Sequence, residues 1–180
     1  MKSIKFFLIF ICLLFPLSGI AQKKQLQVVR DQIKAGKELT KAENTLRGLS
    51  AYKKNIKVWL LLCDALTKQY DQGNEKLYLK QKYDTAAFFS LTRKLYDTMS
   101  RFDSLDAKPD TKGRIRAKYR AKHAAFLNSI RPNLFNGGTY FVHKKDYNTA
   151  FDYYADYLLS ANYPLFEGYD YMQHDALIPH

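Results

Sequence analysis

Apolar residues recur every three or four positions through most of this chain, and no run of alternating β-branched residues interrupts them, so the pattern predicts helix nearly throughout. A first helix runs from about Lys24 to Ala35 with Leu26, Val29 and Ile33 on one face, and Gly36-Lys37 makes a turn. A second runs from about Leu39 to Ser50 with Ala42, Leu46 and Leu49 at helical spacing. The third, near Ile56 to Tyr70, is the most apolar after the N-terminus, and the cluster Asp71-Gln72-Gly73-Asn74 predicts its end. Glu75 to Lys82 carries Leu77 and Leu79 and suits a short helix of its own. Asp84-Thr85 then offers an N-cap for a helix to about Phe102, with Ala87, Leu91, Leu95 and Met99 in a stripe that reads as core.

Pro109-Asp110 and Gly113 break the periodicity, which makes Ser104 to Gly113 an expected loop. The next expected helix, Arg114 to Ile130, has Ile115, Tyr119, Phe126, Leu127 and Ile130 apolar beside a dense basic face, and Arg131-Pro132 ends it. A last hairpin pairs about Asn133–Lys144 with Asn148–Ala161, closed by Asn162-Tyr163-Pro164. From Leu165 onward another helix is expected to begin with nothing to pair against. The pattern thus predicts an all-α chain: hairpins at about 24–50, 56–102 and 133–161, a basic insert at 105–131, and a tail at 162–180.

The N-terminus changes the compartment. Lys2 and Lys5 precede the apolar run Phe6 to Phe15, and Gly19-Ile20-Ala21 precedes polar Gln22-Lys23-Lys24, the layout of a secretory signal cut after Ala21. The run is shorter than the roughly 20 residues that span a bilayer. Cys12 follows Ile11 inside the apolar run, which disfavours lipidation. The expected mature chain, 22–180 with its helical domain at 22–161, is exported to the periplasm or cell envelope, or secreted. It keeps one cysteine, Cys63, so an internal disulfide is ruled out and packing must hold the fold. The formal charge is +12, and losing Lys2 and Lys5 lowers it by two. A balance this basic favours polyanionic surfaces. Export makes nucleic acid a poor partner and an acidic glycan, anionic lipid head group or membrane surface a better one.

The run Leu134-Phe135-Asn136-Gly137-Gly138-Thr139-Tyr140-Phe141, followed by Lys144-Lys145-Asp146-Tyr147, Ala150 and Tyr154, resembles one tetratricopeptide repeat. The resemblance implies that Gly138 in the first helix and Ala150 in the second allow close approach, that Phe141 and Tyr154 occupy aromatic packing positions, and that Pro164 closes the repeat. Trp59, Leu62 and Cys63 match first-helix positions of an earlier repeat, and Ala42 with Leu46 second-helix positions one repeat before that. The resemblance spans about two thirds of the expected mature chain. It implies an α-solenoid of stacked antiparallel hairpins, in the style of signal-bearing repeat proteins of Bacteroidota, and a chain shorter than relatives with more repeats. Repeat grooves of this family bind peptide; the lysine and asparagine clamp for a terminal carboxylate is absent here, because the matching places hold Phe135, Asn136, Thr139, Val142 and His143, and Gln27, Val28 and Asp31. An apolar or aromatic peptide is implied, with Phe135 and Val142 as contacts.

Catalytic patterns are missing from the sequence: no His-Glu-x-x-His, Gly-x-Ser-x-Gly, phosphate loop or dinucleotide fingerprint. The reading is a binding module rather than an enzyme, with no cofactor. His174 and His180 beside Asp170 and Asp175 read as a polar tail rather than a metal site. Asp103 with Asp106, and Asp152 with Asp156, read as solvated charges. The basic segment, with Lys108, Lys112, Arg114, Arg116, Lys118, Arg120, Lys122 and Arg131 facing only Asp110, carries a physical signal. As a helix it would set Arg116 against Arg120 and Lys118 against Lys122, where like charges repel. An anionic partner would offset that cost, with Tyr119 stacking on a sugar or base. The expected function is protein-protein interaction in the cell envelope, and the alternative is polyanion binding through 108–122. The aromatic segment Tyr163 to Tyr171, unpaired in this reading, is expected to pack on the last hairpin or drive self-association.

Overall fold

The computed structural model describes residues 21–49 and 51–174. The expected signal segment therefore lies almost wholly outside the described residues. Regular structure among these residues is helical: residues 21–35 (α1), Leu39–Gly48 (α2), Ile56–Tyr78 (α3), Thr85–Asp106 (α4), Arg120–Ile130 (α5), Pro132–His143 (α6), Tyr147–Ser160 (α7), a 3-10 turn at Pro164–Phe166, and a final turn at Tyr171–His174 (α8). The chain is all-α with helices packed in neighbouring pairs, as a helical-repeat-like arrangement requires. Backbone contacts divide it into two compact units, one up to Ala65 and one from Leu66.

In the first unit, Gly36 (φ 65°) and Glu38 (φ 50°) take left-handed conformations that turn the chain between α1 and α2. Gln32 Nε2 donates to Glu38 Oε2 across that turn at 2.7 Å. Val29 of α1 and Leu39, Ala42 and Leu46 of α2 are buried, with Val58, Trp59, Leu62 and Cys63 at the start of α3. Trp59 stacks on Tyr52 at 4.9 Å. Buried Glu43 accepts from Arg47 Nε at 3.0 Å, and Arg47 also donates to the Tyr52 hydroxyl. The residues matched to the two earlier repeats, Ala42, Leu46, Trp59 and Leu62, are all core.

In the second unit, α3 continues through Asp71-Gln72-Gly73-Asn74, where the sequence predicts a turn. The reason is packing: the Tyr83 ring lies so close to Gly73 that a Cβ there would sit 2.9 Å from it. The glycine accommodates a ring and breaks nothing. The helix ends at Tyr78 instead, so Glu75 to Lys82 forms no separate helix, and Lys80 turns the chain at φ 55°. Asp84 caps α4 as predicted, its Oδ1 accepting from Ala87 N at 3.0 Å. Leu91, Leu95 and Met99 are buried, but Ala87 is exposed in the first turn, where Phe88 and Phe89 fill the core instead. Tyr70 stacks on Phe88 at 4.9 Å and ties the end of α3 to the start of α4.

The α6–α7 pair is the most extensive helix contact of this unit. Pro132 sits at the start of α6, where its missing N–H costs nothing. Asp146 caps α7 by accepting from Thr149 N at 3.2 Å. A Cβ on Gly138 would lie 2.6 Å from the Tyr154 ring, and one on Gly137 would lie 2.6 Å from the Tyr153 ring and 3.3 Å from Phe89 Cβ. Both glycines let rings approach the backbone of α6. Ala150 and Tyr153 are buried, and Phe141 stacks on Tyr153 at 5.3 Å. Full burial of a ring of this size stabilises the fold by about 1.5–3 kcal/mol.

Candidate functional site

The basic segment departs most from its sequence reading. Only Arg120 onward is helical; residues 114–117 have no regular structure and 118–119 form a turn. A helix here would have set like charges four apart, and Ile115, 65% exposed, supplies no buried face to hold one. The chain avoids the repulsion by not forming the helix, so the spacing argument between Arg116 and Arg120, and between Lys118 and Lys122, does not apply.

Two carboxylates organise the segment. Asp110 folds its own turn, accepting through Oδ1 from the Lys112 and Arg114 backbone at 2.8 and 3.0 Å and through Oδ2 from Arg114 Nε and Nη2 at 3.0 and 2.9 Å. The Arg114 backbone and guanidinium, with the Lys112 N–H, hold its carboxyl below the usual carboxylate range. Asp103, read in the sequence as solvated, is 3% exposed and receives a fork from Arg120 Nε and Nη2 at 2.9 and 2.8 Å. Arg120 Nη1 also reaches Glu167 at 3.3 Å. α4 places Asp103 because it runs one turn past its predicted end at Phe102. Asp106 accepts from Tyr119 N at 2.9 Å and fixes the return of the chain into α5.

Tyr119 is therefore not free to stack on a ligand: its ring packs on Phe102 at 5.6 Å and on His123 at 6.2 Å. His123 is buried, its Nδ1 has no hydrogen-bond partner, and burial pushes its pKa down, with Lys122 adding to the shift. Of the eight cations singled out, Arg114 and Arg120 are occupied by these carboxylates, and Arg131 is buried rather than part of a basic face. Lys108, Lys112, Arg116, Lys118 and Lys122 are exposed, and none has a carboxylate partner among the described residues. Lys118 lies over the Tyr119 ring at 5.3 Å.

The second candidate surface is on the α6–α7 pair. Phe135, expected as a peptide contact, packs instead inside the pair, 5.2 Å from the Tyr154 ring and 5.7 Å from Tyr157. Thr139 of the same face engages the Tyr154 hydroxyl at 3.1 Å. Val142 remains 40% exposed. Four large apolar side chains are exposed on α7, more than on any other helix among the described residues: Tyr147 65%, Phe151 72%, Leu158 41% and Leu159 59%. Nothing in the sequence reading pointed to them, because Tyr147, Phe151 and Leu158 look like one more core stripe until an adjoining face of α7, roughly 100° round the helix, is seen to supply the core through Ala150, Tyr153 and Tyr157. Against known protein families, curated proteins and solved structures, the chain has no match.

The C-terminal segment does not stand unpaired. Leu165 and Phe166 are buried, the turn they form packs on α5, and Phe166 lies 6.0 Å from the Tyr96 ring of α4. Tyr171 donates to Asn128 Oδ1 at 2.6 Å. The Arg131 guanidinium lies over both Tyr157 and Tyr171, at 3.9 and 4.1 Å, and Nη2 donates to the Tyr157 carbonyl at 3.0 Å. An open cleft of about 380 Å³ is lined by Arg93, Lys94, Asp97, Asp156 and Tyr163. Arg93 bonds Asp156 and lies 3.9 Å from Asp152, the two aspartates the sequence reading left solvated, and Asp97 accepts from Arg101. Among the described residues no group of three or more His, Cys, Asp and Glu converges on a metal-sized site, and no helix is long and apolar enough to cross a membrane. Of the tail residues weighed for metal, Asp175 and His180 lie outside the described residues.

Proposed function

We propose that this protein is an exported, tetratricopeptide-like scaffold that binds protein partners in the cell envelope, with no catalytic step of its own. The observation that carries the reading is the exposed apolar surface on α7, Tyr147, Phe151, Leu158 and Leu159, with Val142 exposed near the end of α6. Exposed apolar surface gathered on one element of a basic, charged chain marks an interaction site. A photo-crosslinking residue at position 142, in cells that export the chain, is expected to yield a discrete adduct, while one at exposed Lys37 yields none. Equal background at both positions would sink the reading. N-terminal sequencing of the exported chain tests the compartment: it should begin at Gln22.

A second reading, polyanion binding, is favoured by the five exposed cations, Lys108, Lys112, Arg116 and Lys118 on the loop and Lys122 in the first turn of α5. Binding to an acidic glycan or to anionic vesicles should fall steeply with salt and be lost when these five become Gln. Salt-independent binding would remove this reading and leave the first untouched.

A further inference from the structure

The apolar stripe of α7 has a feature that selects its occupant. In a chain with 29 Lys and Arg, residues 132–143 and 147–160 contain neither, and cations appear only in the turn between them, at Lys144 and Lys145. Two copies of so basic a protein repel wherever their surfaces carry lysines; this hairpin is where they can meet without that repulsion. We propose that the α7 face is an isologous dimer interface, in which α7 of one chain packs antiparallel on α7 of a second copy. This deepens the partner-binding reading by naming one partner, and it rests on the same exposed surface.

At 100° per residue, Tyr147, Phe151 and Leu158 fall within roughly 40° of one another on the outside of α7. An antiparallel register that sets Tyr147 against Leu158 of the partner brings Phe151 of both chains beside the two-fold axis, so each contact occurs twice. Charge chooses the direction. Parallel packing would gather four lysines at one end, whereas antiparallel packing sends each Lys144-Lys145 pair to an opposite end, beside the carbonyl terminus of the other α7, where the helix dipole favours cations. Neither lysine has a carboxylate partner among the described residues; Lys144 lies over the Tyr140 ring at 5.5 Å. Among the described residues of the tail, Leu165 and Phe166 are buried against α4 and α5 rather than on this face.

The test is the solution mass of the full chain, as released by an exporting host, by light scattering across a concentration series. The expected result is a discrete two-chain species that Phe151→Glu weakens by about tenfold or more, since aromatic residues at the centre of an interface dominate its affinity. Phe151 is 72% exposed, so the helical signal in circular dichroism should not change with the substitution. The direction has its own readout. Tyr147→Cys with Leu158→Cys in one chain should give a covalent dimer on oxidation, which neither single variant gives; within a chain the two positions are about 16 Å apart along the helix and cannot bridge. A single-chain mass at every concentration, a dimer indifferent to Phe151→Glu, or no covalent dimer from the double variant overturns the proposal. A strictly monomeric chain that still cross-links to another protein through position 142 would remove the dimer while keeping the partner-binding reading.

Discussion

The α6–α7 hairpin and the stretch from Asp103 to His123 are held together by opposite means. In the hairpin, Gly137 and Gly138 remove side-chain bulk so that Tyr153 and Tyr154 lie against the helix backbone. In the basic stretch, side chains reach across: Arg120 enters from α5 to neutralise Asp103 on α4, and Asp106 catches the backbone of Tyr119. The first contact depends on shape and is indifferent to salt and pH. The second is electrostatic and partly buried, so a missing partner leaves a charge stranded.

The largest effects should come from overfilling the hairpin. Gly137→Val is expected to cost about 3 kcal/mol or more, because Tyr153 is 2% exposed and has nowhere to move. Gly138→Val should cost less, since half-buried Tyr154 can shift outward. Urea denaturation of the pair would break the comparison if the order reversed. Next comes Arg120→Ala, which strands Asp103 and is expected to cost about 2–3 kcal/mol, short of the full buried-pair penalty because the Arg120 side chain is 25% exposed. Asp103→Ala with Arg120→Ala together should restore part of that loss; a loss equal to the sum of the two single changes would mean the pair contributes nothing as a pair.

Smaller still is the pH effect at His123. Its folded pKa lies below its unfolded one, so the unfolded chain takes up a proton first and stability is lost as pH falls through about 6.5. The slope per pH unit is at most about 1.4 kcal/mol from this group. Asp103, Asp106, Lys122, Phe102 and Tyr119 surround it, and the carboxylates limit the loss. Denaturation between pH 7.5 and 5.5 should show the slope in the native protein and lose it in His123→Phe, while the hairpin substitutions shift stability equally at both pH values. The smallest effect is expected at Asp110→Ala, where an exposed turn and ion pair are removed and the denaturation midpoint should not move measurably.

The hairpin was legible because its determinants are local. Phe141, Ala150 and Tyr154 sit on two adjacent helices, joined by the turn at 144–146 and followed by Pro164, and a small-for-large exchange leaves a trace in sequence. Gly137 was passed over for Gly138 because the two look alike until their facing rings are known. Gly73 was misread for the converse reason: as a chain breaker it resembles a turn, and only Tyr83, ten residues away, shows it to be a packing site. Arg114 to Tyr119 was misread because the basic pattern was laid on a helix that the same charges disfavour.

Composition and periodicity alone determined that this chain is all-α, where most helices begin and end, and which stripes of α2 and α4 form the core, because those properties are written in the order of neighbouring residues. Which charges meet, which glycines receive a ring, that the aromatic tail returns to α5, and that α7 shows its second apolar face to solvent were decided by tertiary structure. Each depends on residues far apart in the chain, whose proximity no local pattern encodes.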